Sequence, residues 1–244
     1  MSILRKIILR VQIEIKFLLE QKWGLKRPSD INTIAKYKLK KCLPKNPVII
    51  DCGAHIGSDS VELAKIFPMS VIHCFEPIPE LFHLLKTNTR KYFNISCYQL
   101  ALSDKDGSVR MHVSSGASNA SSSILPPKEH IIEHPDTFFE TTVEVKTSTL
   151  DNWAKANNIT RIDFLWLDMQ GYEFQMLKAS EVVFPSLKAI YTEVSLREVY
   201  SGAVLYPDLK IWMESKGFRV IDEAIPEGTD MGNSLFVNTR FWKG

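Results

Sequence analysis

Two short apolar runs end in acids that could do chemistry. Val48-Ile49-Ile50 leads into Asp51, then Gly53, His55, Gly57 and Ser60; Val71 to Phe75 leads into Glu76, 25 positions after Asp51. A β-rich run closing on an acid and a glycine turn, followed by a second run closing on an acid, describes a nucleoside-binding crevice. A dinucleotide site asks for GxGxxG, so that backbone and helix N-terminus hold a pyrophosphate. Gly53 and Gly57 are spaced GxxxG instead, and Asp51 at the strand end would repel a pyrophosphate while attracting the ammonium and sulfonium of S-adenosylmethionine. Glu76 can accept from both ribose hydroxyls, which either cofactor would need.

These residues require a scaffold of parallel strands. Both runs are continuous and β-branched, the pattern of strands buried on both faces, so each acid falls at a carboxyl end where open α/β sheets bind ligands. The chain continues with helices from about Ser58 to Phe67 and Pro79 to Tyr92, and with a strand from Ser96 to Leu102, giving βαβαβ with right-handed crossovers. Ser108–Val113 and Thr142–Thr147 alternate as strands and fit a hairpin. Between them, residues 114–141 are rich in Ser and Pro without a period, which predicts a long loop carrying acceptor contacts. Thr149-Leu150-Asp151 can cap a helix. A strand from Ile162 ends at Asp168, a helix covers Tyr172–Ala179, and a strand from Ala189 ends at Glu193. After a helix over Leu205–Ser215, Phe218–Ile221 and Ser234–Asn238 form an antiparallel terminal pair, for seven main strands.

At 244 residues and 45% hydrophobic, the chain fits one α/β domain with an extension. The expected division is a basic helical extension over 1–46 and a catalytic domain over 47–244. Cys42, Cys52, Cys74 and Cys97 show no CxxC spacing and read as core thiols in a reducing compartment. The net charge of +2 conceals an asymmetry, because residues 1–47 hold twelve Lys/Arg against three Asp/Glu. Ile3, Leu4, Ile7, Ile8, Val11, Ile15, Leu18 and Leu19 make one helical stripe among Arg5, Lys6, Arg10 and Lys16. These charges interrupt every long apolar run, so a signal peptide or transmembrane span is not expected. A cytoplasmic protein follows, with residues 1–24 either packed on the body or in peripheral contact with an anionic membrane.

The chain resembles the FkbM-type methyltransferases over roughly residues 46–240. The family's DxGANxGxxS pattern is met by Asp51, Gly53, Ala54, Gly57 and Ser60, with His55 replacing its Asn. Its FEP is Phe75-Glu76-Pro77, its ALSD is Ala101 to Asp104 before Gly107, and its TLD is Thr149 to Asp151. Its KIDVEGxE is written Trp166-Leu167-Asp168-Met169-Gln170-Gly171-Tyr172-Glu173. The resemblance implies a Rossmann-like class I fold and S-adenosylmethionine-dependent methylation, with several members acting on sugar hydroxyls. By resemblance and placement, Asp51 serves the methionine end, Gly53 and Gly57 allow backbone approach, Glu76 holds the ribose, and Ala101 with Leu102 forms the adenine wall. Ser60 and His55 complete the cofactor set. Trp166 in place of Lys and Gln170 in place of Glu mean that any role needing an ammonium or a carboxylate there does not transfer.

For the base that accepts a hydroxyl proton, Asp168 stands first, with Glu193, Glu173 and His55 behind it. Asp168 and Glu193 could instead share a divalent cation. A sugar or glycan is the expected acceptor; a lipid-linked one would share a membrane surface with the basic front end. Nucleic acid is not expected, since no basic stripe with interleaved aromatics runs through the chain. Three rival readings stand beside this one. His130-Ile131-Ile132-Glu133-His134 matches HxxEH, which needs a longer helix to present two histidines to zinc than Pro127 and Pro135 leave. A nicotinamide oxidoreductase lacks its third glycine, and a non-catalytic module would retain the fold while docking on membrane or nucleic acid.

Overall fold

The computed structural model describes residues 38–242. The amphipathic stripe, and most of the Lys-rich segment expected to be helical, lie outside the described residues. Within them a seven-stranded sheet runs β3-β2-β1-β7-β8-β10-β9, from β1 (Val48–Cys52), β2 (Val71–Phe75), β3 (Ile95–Tyr98), β7 (Phe164–Leu167), β8 (Ala189–Ser195), β9 (Phe218–Ala224) and β10 (Met231–Asn238). The first five are parallel to one another, and β10 runs antiparallel to both β8 and β9. The expected α/β class, the strand number and the antiparallel terminal pair are all present.

The continuous apolar runs have the anticipated cause. Ile49 and Phe164 pack into the layer with Leu63, Ile72 and Leu85, whereas Ile50, Leu165 and Leu167 face the layer with Leu150, Trp153, Met176 and Met213. The helices that cover the sheet are α1 (Ser58–Ile66), α2 (Pro79–Thr89), α4 (Leu150–Ala156), α5 (Glu173–Lys178) and α6 (Tyr206–Ser215), with a four-residue α3 (His130–Glu133) between. Thr149 caps α4 as its sequence suggests, accepting from the Asn152 N–H at 3.1 Å. Trp166, where the resembling family has Lys, is a core residue stacked on Tyr191 with ring centroids 4.1 Å apart. No helix among the described residues is long and apolar enough to cross a membrane.

Two expectations change. The strand expected over Ser96–Leu102 is two strands: β3 ends at Tyr98, and β4 (Ala101–Leu102) leaves for a second sheet, β4-β6-β5. That sheet is built on the hairpin of β5 (Gly107–Gly116) with β6 (Thr137–Ser148), longer than the alternation indicated. The loop over 114–141 is therefore partly strand, and four of its six serines are internal bonding groups rather than solvated ones. Ser114, Ser121, Ser122 and Ser123 are buried. Ser122 Oγ accepts from Ser114 N–H at 2.9 Å, and Ser114 Oγ accepts from Ser121 N–H at 3.0 Å. Hydroxyl-to-backbone bonds stand in for a ladder there and satisfy groups that burial would otherwise orphan.

Candidate active site

At the carboxyl ends of β1, β2 and β7 lies a cleft enclosing about 640 Å³ of open space, where a doubly wound sheet binds ligands. The turn after β1 is held rigidly beside it. Gly53 and Ala54 donate backbone N–H to Phe75 O at 3.1 and 2.9 Å, and Asp168 N–H donates to Cys52 O at 3.0 Å. Gly53 has φ +76°, and a Cβ there would fall 1.9 Å from the Asp168 carbonyl oxygen. Only a glycine lets the chain pass that close to the neighbouring strand end. Gly57, at φ +89°, opens α1 against Leu85.

Glu76 faces the cleft from the end of β2 and is 4% exposed. Its Oε1 accepts from Ile78 N–H at 2.8 Å and its Oε2 from His55 N–H at 3.1 Å, so each oxygen is oriented by backbone and keeps a further lone pair for a ligand. Burial pushes its pKa up to about 7, against those two hydrogen bonds and with the Asp168 charge adding to the rise. Ala101 and Leu102 of β4 form the apolar wall with Phe75, Leu81 and Met111.

Asp168 follows β7 directly and its side chain is open to the cleft. The depth of its setting raises its pKa to about 6, partly offset by a bond from Gln170 Nε2 to its Oδ1 at 2.6 Å. Glu193 of β8 accepts from the same Gln170 nitrogen at 2.9 Å. Burial, with the Asp168 and Glu173 charges added, holds Glu193 well above the usual carboxylate range. Glu173 is turned inward to accept from Met169 N–H at 2.7 Å, and burial raises its pKa to about 7. Glu173 and Glu193 border a smaller recess behind Tyr200 rather than the main cleft.

Of the residues singled out in the sequence, Gly53, His55, Glu76, Ala101, Leu102 and Asp168 line one cavity. Asp51 and Ser60 do not. Asp51 is 1% exposed beneath the turn, where it accepts from the Ser60 hydroxyl, and Ser60 also approaches Cys74 Sγ at 2.9 Å. Alternation along β1 explains this, because Asp51 points to the layer of Ile49 and Cys52 points to the cleft. His130 and His134 sit at the two ends of α3, which is only four residues long. Among the described residues no group of three His, Cys, Asp or Glu is placed to hold a metal ion.

Sequence reasoning placed site contacts in the inserted segment without naming the residues that make them. Asn119, Ala120, Ser122 and Ile124 come from the inserted segment, and Asn119 Oδ1 lies 3.0 Å from His55 Nε2 across 64 residues of chain. The segment is fastened to the body by Lys128 N–H to Val199 O at 2.9 Å, Ser201 N–H to Pro126 O at 2.8 Å, and Ser123 Oγ to Gln170 O at 2.7 Å. No local period announces such contacts; the four buried serines were the available signal.

Comparison with known proteins agrees with this architecture. A 2-O-methyltransferase, NoeI, of Sinorhizobium fredii is 29% identical over 222 residues, covering 89% of this chain and 90% of that protein. The methyltransferase sdnD of Sordaria araneosa is 23% identical, over 73% and 76% of the two chains. The solved structure of an rRNA methylase from Streptococcus thermophilus superimposes with a TM-score of 0.50 at 11% identity, over 87% of this chain and 98% of that one, and bears on the fold alone. The model of the methyltransferase FkbM domain matches residues 51–220, from the first acid of β1 into β9. The chain belongs to the FkbM methyltransferase family.

Proposed function

We propose that this methyltransferase transfers the methyl group of S-adenosylmethionine to a hydroxyl of a sugar or glycan. The observation that carries the donor half is Glu76, buried at a strand end with both oxygens oriented by backbone N–H groups and facing a cleft floored by Gly53. The cradle fits an adenosyl group: a carboxylate for the ribose diol, the apolar surface of Ala101, Leu102 and Phe75 for the base, and a glycine whose missing Cβ leaves room. Asp51 acts through the turn it supports with Ser60, and as a negative charge behind it. The acceptor half draws support from the relative named as a 2-O-methyltransferase.

Bound there, the donor supplies an electrophilic methyl carbon on a sulfonium. The protein must then hold an acceptor oxygen in line and take its proton. Asp168 does the second: it is open to the cleft, and a pKa near 6 leaves it ionised at neutral pH yet basic enough to accept a proton. Asn119, His55 and Tyr172 also line the cleft, and polar side chains of this kind suit hydroxyls. The setting we propose is cytoplasmic, with residues 1–24 touching a membrane that carries a lipid-linked glycan. Unchanged liposome association after their deletion would contradict that placement.

Incubation with methyl-labelled S-adenosylmethionine and separated cell glycans, lipids and RNA tests the acceptor class. Label in the glycan fraction is the expected result, and label confined to RNA or to sugar-free lipid would overturn it. Asp168→Asn should lose single-turnover methylation with S-adenosylhomocysteine affinity retained; normal turnover would remove Asp168 from its role.

A further inference from the structure

One amide stands between two carboxylates. Asp168 and Glu193 follow each other across neighbouring strands, because β7 and β8 pair Leu167 with Thr192. Two negative groups brought together at a strand end need a proton, a cation or a donor between them. Here the Gln170 side chain fills that position, with Nε2 2.6 Å from Asp168 Oδ1 and 2.9 Å from Glu193 Oε2. Its two N–H groups are both used.

The opposite end of the amide is fixed as well. Tyr200, 1% exposed, places its hydroxyl 2.7 Å from Gln170 Oε1 and 2.8 Å from the Ser121 carbonyl oxygen, sharing one proton between the two. Reversing the amide would set Oε1 against the Asp168 oxygen at the same 2.6 Å, acceptor against acceptor, so the carboxylates dictate the orientation. The backbone is committed too. Gln170 has φ +54°, a conformation uncommon for a residue with a side chain, and its carbonyl oxygen accepts from Ser123 Oγ at 2.7 Å. A left-handed residue that a wall segment fastens through both its main chain and, via Tyr200, its side chain is over-determined in the way functional sites are.

We infer that Gln170, oriented by Tyr200, is a positioning residue for the methyl transfer: its amide holds the Asp168 carboxylate at the angle from which it meets the acceptor hydroxyl. The inference rests on the reading of Asp168 as the base. It makes Gln170 more than a lost glutamate. A glutamate at this position, as in the family's pattern, would need a proton to bridge these acids and could then donate to only one of them, whereas the amide donates to both and leaves the second Asp168 oxygen for the cleft. It also ties the acceptor wall to the chemistry, since Ser121 and Ser123 of the inserted segment grip the same node from two sides.

The test uses the full chain with S-adenosylmethionine and, as acceptor, the cell-glycan fraction that the wild type labels. Gln170→Glu preserves shape and cannot donate to both acids at once; Gln170→Met preserves volume and removes all polarity. Tyr200→Phe, the milder change, leaves Gln170 in place and releases its carbonyl end. We expect single-turnover rates to fall about 30-fold in both Gln170 variants and about fivefold in Tyr200→Phe. Calorimetric affinity for S-adenosylhomocysteine should stay within about threefold in all of them, a split that a merely structural role would not produce. Rates within about threefold of wild type while Asp168→Asn is inactive would overturn this assignment alone. Loss of rate matched by equal loss of donor-product affinity would do the same, by making Gln170 a fold residue. Normal turnover of Asp168→Asn would overturn the base reading beneath it, and this assignment with it.

Discussion

The two walls of the cleft are built on different principles. The wall we assign to the donor is local: Gly53, His55 and Glu76 follow directly from strands β1 and β2, and the bonds that aim Glu76 come from residues 2 and 21 positions away. The wall we assign to the acceptor is assembled over distance, with Tyr200 reaching Ser121 across 79 residues and Ser123 reaching Gln170 across 47. A donor common to many acceptors is served by a motif that folds with its strand. A particular acceptor is served by a segment that many separated residues must pin, and such a segment changes without disturbing the sheet.

Substitution at Gly53 should separate the walls most sharply. In Gly53→Ala the new methyl meets the Asp168 carbonyl at 1.9 Å and the backbone must leave φ +76°. Neither can yield cheaply, because Asp168 N–H is bound to Cys52 O. We expect S-adenosylhomocysteine binding by calorimetry to weaken more than about 100-fold, the equivalent of about 3 kcal/mol. Binding within about threefold of wild type would show that the turn is not the donor's floor. Next in size, Glu76→Ala removes the carboxylate we assign to the ribose and should cost about 10- to 100-fold in the same measurement.

A pH series sharpens the role of Glu76. Its folded pKa, about 7, lies above the ordinary carboxyl value of 4.5. The protonated form therefore stabilises the free protein, a contribution complete below about pH 4.5 and lost as the pH rises through 7. Thermal melts should show free Glu76→Gln gaining on the wild type between pH 6 and 8, by no more than a few degrees. Donor affinity of the wild type should move the opposite way, rising over that interval as the carboxylate forms, and more for cationic S-adenosylmethionine than for neutral S-adenosylhomocysteine. Parallel pH trends in melting and donor affinity would contradict the ribose assignment. The smallest effect belongs to the seam between the walls. Asn119→Ala removes one exposed bond to His55, and stopped-flow release of S-adenosylhomocysteine should quicken by about threefold.

This contrast also explains how far the sequence could be read. β1, β2 and their acids were legible because a strand buried on both faces writes an unbroken apolar run, and its end writes a glycine and a carboxylate. The same alternation, followed one step further, would have put Asp51 in the opposite layer from Cys52, and so beneath the turn. The break between β3 and β4 left no mark, since the residues between Tyr98 and Ala101 carry neither glycine nor proline, and only the pairing of Ala101 and Leu102 with Thr147 and Ser148 moves that segment to a second sheet. The serine-rich insertion read as a loop because hydroxyls satisfy backbone groups equally well in solvent and in a packed seam. Gln170 stood out as a departure from the family's pattern, but its meaning needed Tyr200, 30 residues on. Spacing cannot supply that.

The central claim is that the carboxylate of Glu76 grips the ribose of an adenosyl donor in the cleft beside Gly53. A crystal structure of the complex with S-adenosylhomocysteine decides it. Both ribose hydroxyls should lie on the Glu76 oxygens, the base against Ala101 and Leu102, and the sulfur on the side of Asp168. An adenosyl group bound elsewhere, or with its ribose turned away from Glu76, would contradict it.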